Sequence, residues 1–288
     1  MLPVRSLSPR RPTSFTHAPS SDDSSSSPIV LFVATRWELA AMRRAMPVER
    51  RIDIDGVNCF AGRQGDRAYW LVLTGIGPHA ADAAATAVLK RQRPALAMSA
   101  GFAGALLPAA AVGDVIAATS VFSGTFDGAW FQAGAPLASD DSVLRAVQAA
   151  AAQVGVTVRT GPLVSLATVV CRAVDKQNVS RLAGAIALDM ESAAIGNAAR
   201  AHGVPFAVLR TVSDVAGEDL PLDFNVFLKP WGWLRGMGAM ILAPSSFVGL
   251  NRLRRQSRLA AGQLTAVTAA WAANGFGLSP ASQVGRAG

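Results

Sequence analysis

The chain has 288 residues, of which 51% are hydrophobic, so it can bury the core of one large domain. Its 27 basic and 19 acidic residues give a net charge of +8, but the excess lies at the two ends, and residues 29–224 hold equal numbers of each. This neutral body argues against a nucleic-acid footprint spread over the fold, and two cysteines outside any CxxC spacing argue against a disulfide framework.

The N-terminal region divides into a tail and a first strand–helix pair. Residues 1–28 are rich in Ser, Pro and Arg and lack the apolar core of a secretory signal, which predicts a disordered tail. The apolar run Ile29 to Ala34 predicts a strand. Thr35, with Glu38 three residues later, has the pattern of a capping box and begins a predicted helix.

Glycine-containing segments follow. Trp70 to Thr74 predicts a strand that leads through Gly75-Ile-Gly into an Ala-rich helix ending near Leu89. The uncharged run Ala95 to Val112 is long enough to suggest a membrane span, but it contains Gly101, Gly104 and a proline. We therefore predict a buried strand, a glycine turn and a second strand in this run.

The remaining predicted elements alternate along the chain. Strands are expected at Asp114 to Thr119, Gly161 to Val170 and Phe206 to Ser213, and helices at Asp140 to Val154 and Met190 to Arg200. This alternation predicts an α/β fold with a largely parallel sheet and helices on both sides.

Two acids stand at the ends of adjoining elements. Glu191 opens the predicted helix, and Asp214, preceded by Ser213, closes the last predicted strand. Ligands of open α/β sheets gather beyond the carboxyl ends of strands, so this position suits cleavage of a sugar–base bond. Arg210 within the buried strand requires an acidic partner, because an unpaired interior guanidinium is costly.

Six motifs occur in an order that resembles the nucleoside phosphorylase and methylthioadenosine nucleosidase superfamily over residues 29–228. They are Glu38 after the first strand, Gly75-Ile-Gly, Gly101-Phe-Ala-Gly104, Val112-Gly-Asp-Val, Asp189-Met-Glu-Ser and Arg210-Thr-Val-Ser-Asp214. The resemblance implies a three-layer αβα single domain with a central mostly parallel mixed sheet. It also implies cleavage of the N-glycosidic bond of a nucleoside by a homodimer or higher homo-oligomer.

The resemblance assigns the catalytic roles. Asp214 would donate a proton to N7 of the departing purine, and Glu191 would accept hydrogen bonds from the ribose hydroxyls. Glu38 would position or activate the attacking water. The expected substrate-binding residues are Met190, Ser213, Arg210, Gly101, Phe102, Gly75, Val169 and Val170.

Each acid also has a purely structural explanation. Asp favours helix caps and loops, Glu191 could only complement a helix dipole, and Glu38 could only complete its capping box.

The sequence departs from the phosphorolytic pattern. Those relatives carry an arginine before the Gly-x-x-Gly turn and an early Gly-Asp-Pro loop, where this chain has Ser99 and Ala34-Thr-Arg-Trp-Glu. Strong phosphate capture is therefore less favoured, although phosphate stays open as a co-substrate. The three histidines lie far apart and have no ligand spacing, so we expect neither a metal nor another cofactor.

Residues 229–274 form a basic extension beyond the predicted catalytic domain, and residues 275–288 a second disordered tail. Within the basic extension, residues 229–258 combine tryptophans, an apolar stretch too short to span a bilayer, and a cluster of arginines. This mixture suits peripheral contact with an anionic membrane. The alternative is a pair of helices packed on the domain with solvated arginines, and nucleic-acid binding is the least favoured.

This extension, together with Asp189-Met-Glu-Ser, resembles the hopanoid-associated branch of the superfamily, which removes adenine from adenosylhopane. The resulting hypothesis is cleavage of a lipid-linked 5′-modified adenosine in the cytoplasm, at the inner face of the membrane. The alternatives are a soluble methylthioadenosine or adenosylhomocysteine nucleosidase and a non-catalytic nucleoside-binding protein.

Overall fold

The computed structural model describes residues 27–221, residue 225 and residues 245–278. The strands are β1 (Ile29–Val33), β2 (Arg50–Ile54), β3 (Val57–Gln64), β4 (Arg67–Leu73), β5 (Leu96–Ala105), β6 (Val115–Phe126), β7 (Phe131–Ala133), β8 (Leu137–Ala138), β9 (Val158–Leu166), β10 (Ala187–Asp189) and β11 (Phe206–Asp214). The helices are α1 (Arg36–Ala45), α2 (Pro78–Arg91), α3 (Asp141–Gln153), α4 (Ala173–Ala183), α5 (Ser192–Ala201) and α6 (Ser245–Ala273).

The strands form one mixed sheet in the order β10-β9-β6-β11-β5-β1-β4-β3-β2, with β7 and β8 paired to β6. Parallel pairs join β5 to β1 and to β11, whereas β2, β3 and β4 are joined by antiparallel hairpins. The short strand β10 pairs with β9 on one side and with β5 on the other, so part of the sheet closes on itself.

Helices cover both faces of the sheet, which confirms the predicted three-layer α/β arrangement. In β1, Val30 and Phe32 face the layer that contains α2 and α5, whereas Leu31 and Val33 face the layer of α1, α3 and α6. Both sets are fully buried, since alternate residues of a strand point to opposite faces. The continuous apolar run of β1 follows from this double burial.

The C-terminal half of α6 packs on the domain, which confirms a helical C-terminal extension. Leu264, Val267 and Trp271 are fully buried in the same core layer as α1 and α3. The chain stays ordered past the predicted boundary at 274, because Gly275–Gly277 forms a 3-10 turn whose Phe276 packs edge-on against Trp271. Within the described ranges, no helix is both long and apolar enough to cross a bilayer.

Two other expectations are wrong in detail. The predicted glycine turn at Gly101 to Gly104 is absent, because β5 runs straight through both glycines to Ala105. The helix expected from Met190 begins at Ser192, and Glu191 is its N-cap residue. The hairpin strands β2 and β3 and the helix α4 were not predicted. The predicted tail up to residue 26, residues 222–224, residues 226–244 and residues 279–288 lie outside the described residues.

Candidate active site

Arg210 on β11 forms the centre of a buried cluster of three acids. Its side chain is 1% exposed, and Nη2 lies 2.7 Å from Oδ2 of Asp189. Glu38 Oε1 lies 3.8 Å from Nη1, and Glu191 Oε2 lies 3.9 Å from Nη2. Burial by itself lowers the pKa of Arg210, but the three carboxylates outweigh it and raise that pKa. The guanidinium is therefore a fixed positive charge shared by three carboxylates.

Serine hydroxyls add further contacts to this cluster. Arg210 donates to Ser99 Oγ at 2.7 Å and to Ser192 Oγ at 3.0 Å. Asp189 accepts hydrogen bonds from the hydroxyls of Ser165 and Ser192 and is buried. Asp189 was not a predicted site residue, although the motif Asp189-Met-Glu-Ser contains it. The requirement that Arg210 have an acidic partner is the sequence signal that could have identified it.

Glu38 is both a helix-capping residue and a member of the cluster. Its Oε2 accepts from the backbone N–H of Ala34 at 3.0 Å and of Thr35 at 2.7 Å, which confirms the predicted capping box. Its Oε1 accepts from the backbone N–H of Phe102 at 2.8 Å. A Cβ at Gly101 would lie 2.2 Å from that Oε1, so the glycine of β5 is required by the close approach of Glu38.

Glu191 is the acid with the most altered protonation. Burial raises its pKa to about 7, and although Arg210 opposes this rise, Asp189 and Glu38 add to it. Its Oε1 accepts a hydrogen bond of 2.8 Å from the backbone N–H of Gly77, in the turn that also contains Gly75. At neutral pH this carboxyl group can therefore exchange a proton.

Asp214 occupies a different electrostatic environment. It accepts one hydrogen bond from Lys176 Nζ and another, of 3.0 Å, from Ser213 Oγ. Ser213 thus contacts Asp214, whereas the acids that Arg210 contacts are the other three. Lys176 on α4 is fully buried and was missed, because α4 was not predicted and a helical lysine is usually solvated.

The two groups of acids flank one strand. Gly104 of β5 pairs with Asp214 of β11 on one side and with Leu188 of β10 on the other. Because β10 leads directly into Glu191, the chain brings both predicted acids to the same stretch of β5. Ser99 and Phe102, which contact the Arg210 cluster, belong to this strand as well.

An open cleft of about 460 Å³ lies beside the capping box of Glu38. It is lined by Ala34, Thr35, Arg36, Gly56, Val57, Asn58, Leu73, Thr74, Gly75 and Ile76. The two valines predicted to bind substrate lie elsewhere. Val170 packs into a core cluster with Leu166, and Val169 is half-buried with its backbone bonded to Asn225. Their contact with the substrate, and that of half-buried Met190, stays a prediction.

Comparisons with known proteins agree with this architecture. Residues 28–229 match the model of the phosphorylase superfamily. A 5′-methylthioadenosine/S-adenosylhomocysteine nucleosidase from Neisseria meningitidis, solved with methylthio-immucillin-A, is similar at 22% identity and a TM-score of 0.65, covering 84% of this chain and 99% of the other. The futalosine hydrolase of Helicobacter pylori is similar at 18% identity and a TM-score of 0.64, covering 84% and 97%.

The fold and its matched family define an enzyme of the N-ribosyl hydrolase or phosphorylase type. The match spans well over half of the chain. This chain belongs to the phosphorylase superfamily.

Proposed function

We propose that this enzyme cleaves the N-glycosidic bond of a purine nucleoside, with Asp214 as the acid for the base and Glu191 as the ligand of the ribose hydroxyls. The observation that carries the proposal is the arrangement of these acids on either side of β5. A purine leaves poorly unless it is protonated, and the ribosyl fragment passes through an oxocarbenium-like state. Both an acid and an anionic environment are therefore needed.

The cluster around Arg210 suits the ribosyl half of the reaction. Three buried carboxylates share one guanidinium, so negative charge is in excess where the sugar would become positive. Oε1 of Glu191 is held by Gly77, and its Oε2 lies 3.9 Å from Arg210. Glu191 has lone pairs left to accept hydrogen bonds from hydroxyl groups.

Water is the proposed nucleophile, with Glu38 as the group that positions it. As water attacks C1′ its proton passes to Glu38, the C1′–N bond breaks with its electron pair on the base, and Asp214 donates a proton to that base. Ser99 supports this choice over phosphate, because it stands where phosphorolytic relatives carry an arginine and is itself buried against Arg210. Phosphate is the alternative co-substrate.

The proposed substrate is a 5′-modified adenosine, with adenosylhopane as the specific candidate. Arginines exposed along the N-terminal half of α6 support a lipid-linked substrate, since they could contact an anionic membrane. They are Arg252, Arg254, Arg255 and Arg258. The tryptophans of the predicted membrane segment fall in residues 229–244, outside the described residues. Similarity to solved nucleosidases favours a second candidate, a methylthioadenosine or adenosylhomocysteine substrate.

Adenine release from adenosylhopane and from methylthioadenosine, each with and without phosphate, tests the substrate and the nucleophile. We expect release without phosphate and a higher kcat/KM for the lipid-linked substrate. Equal turnover of methylthioadenosine would overturn the lipid assignment, and strict dependence on phosphate would overturn hydrolysis. Binding of either nucleoside without release of any base would favour a non-catalytic binding protein.

A membrane-binding assay tests the role of α6 separately. Replacing the four exposed arginines by glutamine should reduce flotation with vesicles that contain anionic lipid, and flotation with neutral vesicles should stay low. Unchanged flotation would mean that these arginines are a solvated face of the helix and do not bind the membrane.

Self-association is part of the proposal. Trp37, Ile76 and Trp130 are large apolar side chains that are more than half exposed, which favours burial against a second copy. Light scattering should give the mass of a dimer or a larger assembly, and a monomer at all concentrations would contradict it.

A further inference from the structure

Lys176, to which the proposed reaction assigns no role, forms an ion pair with Asp214. Lys176 is fully buried, and its Nζ donates to Asp214 Oδ1, to the carbonyl oxygen of Val215 at 3.0 Å and to that of Glu218 at 3.3 Å. An ammonium group has three N–H donors, so all three are used. A buried charge whose one ionic partner is the proposed acid is placed to influence that acid.

We propose that Lys176 is a positioning residue that stabilises the carboxylate left on Asp214 after proton donation to the base. This inference rests on the proposed function, in which Asp214 is the acid. When the C1′–N bond breaks, its electron pair stays on the base and the proton of Asp214 moves to that base. The electron pair of the broken O–H bond stays on Asp214, and Lys176 keeps all of its protons throughout.

The ammonium group accelerates this step because it favours charge that develops in the transition state. An opposite charge in direct contact stabilises an ionised carboxylate, and only interactions that strengthen towards the transition state raise kcat. The same ammonium also favours the ionised carboxylate before substrate binds. Removing the ammonium group should therefore change both the rate of proton donation and the pH dependence of the reaction.

Other groups around Asp214 do not duplicate this charge. From β5, Gly104 approaches Asp214 without a side chain, and from β11 the neutral Ser213 donates to it. The carboxylate of Glu218 pairs with Arg252 and Gln256 of α6, so only its backbone oxygen meets Lys176. Within residues 27–221 and 251–278, Lys176 is the cation bonded to Asp214.

Lys176→Gln and Lys176→Arg separate the charge of Lys176 from its hydrogen bonds. Glutamine keeps N–H donors but is neutral, so we expect the plateau value of kcat to fall on the order of tenfold. The alkaline limb of the pH–rate profile should move to higher pH. Arginine keeps the charge and should restore both the plateau and the limb.

A double mutant and a changed leaving group decide whether Lys176 acts through Asp214. In an Asp214→Asn background, Lys176→Gln should cause no further loss, because the acid that it assists is gone. With a nitrophenyl riboside, whose leaving group needs no protonation, Lys176→Gln should have no effect on turnover. The control Arg159→Gln breaks another partly buried ion pair, with Asp114, and should leave the pH profile unchanged.

The outcomes separate the two proposals. If Asp214→Asn keeps full activity, the proposed function itself fails. If Asp214→Asn is impaired while Lys176→Gln retains the wild-type plateau and pH profile, only the inference on Lys176 fails. An equal loss for the purine nucleoside and the nitrophenyl riboside, with an unmoved alkaline limb, would also overturn it by making Lys176 merely structural.

Discussion

The two halves of the candidate site balance charge in opposite ways. Around Arg210, three carboxylates share one cation, whereas Asp214 has the ammonium of Lys176 to itself. Breaking a glycosidic bond leaves positive charge on the sugar and negative charge on the base. An anionic excess around Arg210 and a dedicated cation at Asp214 match this separation of charge, as the proposed reaction requires.

The largest expected effect comes from the half that contains Lys176. Asp214→Asn removes the proposed proton donor and should lower purine release by roughly 10²–10⁴-fold. It should also lower thermal stability, because the buried ammonium group of Lys176 loses its ionic partner. Steady-state assays measure this loss. The exposed acid Asp82 on α2 offers a matched control, since Asp82→Asn should retain full turnover. If Asp214→Asn releases purine as fast as the wild type, Asp214 is not the acid for the base, and the comparison between the two halves of the site fails.

Removing the cation from the other half should mainly affect stability. Arg210→Met leaves three buried carboxylates without a counter-charge and should lower the free energy of unfolding at neutral pH by about 3–5 kcal/mol. Urea denaturation at neutral and acidic pH measures it. Acid should restore part of the loss, because protonated carboxyls need no partner. A loss below about 1 kcal/mol would mean that the cluster around Arg210 does not carry an excess of negative charge.

The raised pKa of Glu191 predicts how stability depends on pH. The folded protein holds a proton on Glu191 up to about pH 7, whereas the unfolded chain releases it near the ordinary value of 4.5. Folding therefore takes up a proton between these values, and stability falls as pH rises through the window, by about 3 kcal/mol at most.

Glu191→Gln tests this dependence, because the amide cannot ionise. Its free energy of unfolding should fall less than that of the wild type between about pH 5 and about pH 8. If the free energy of unfolding falls equally with pH in the two proteins, the proton taken up on folding is held by another acid of the cluster.

The smallest expected effect concerns Gly101 on β5, the strand between the two halves of the candidate site. Gly101→Ala places a Cβ 2.2 Å from Glu38 Oε1 and 2.6 Å from Arg210 Nη1, so the cluster must shift. We expect a loss of about 1–3 kcal/mol in unfolding free energy, measured by denaturation. Gly262→Ala on the exposed side of α6 meets nothing within 4 Å and should not destabilise. Equal behaviour of both variants would contradict the required close approach.

The sequence predicted the elements whose pattern is local. The apolar run of β1, the capping box of α1 and the acid at the end of β11 were all legible, since periodicity and caps act within a few residues. The straight path of β5 was not, because Gly101 and Gly104 make room for Glu38 and Asp214, which are remote along the chain. Lys176 was missed for the same reason, since its partner lies 38 positions away.

The carboxylate of Glu38 holds the first turn of α1 and reaches across to Phe102 with its other oxygen. The same side chain thus caps a helix and has the role of positioning water in the proposed reaction. A descendant that lost its activity would still keep a glutamate here for the sake of the helix. The presence of Asp214 and Lys176 in a relative is therefore better evidence that it is an active enzyme, and not a pseudoenzyme, than the presence of Glu38.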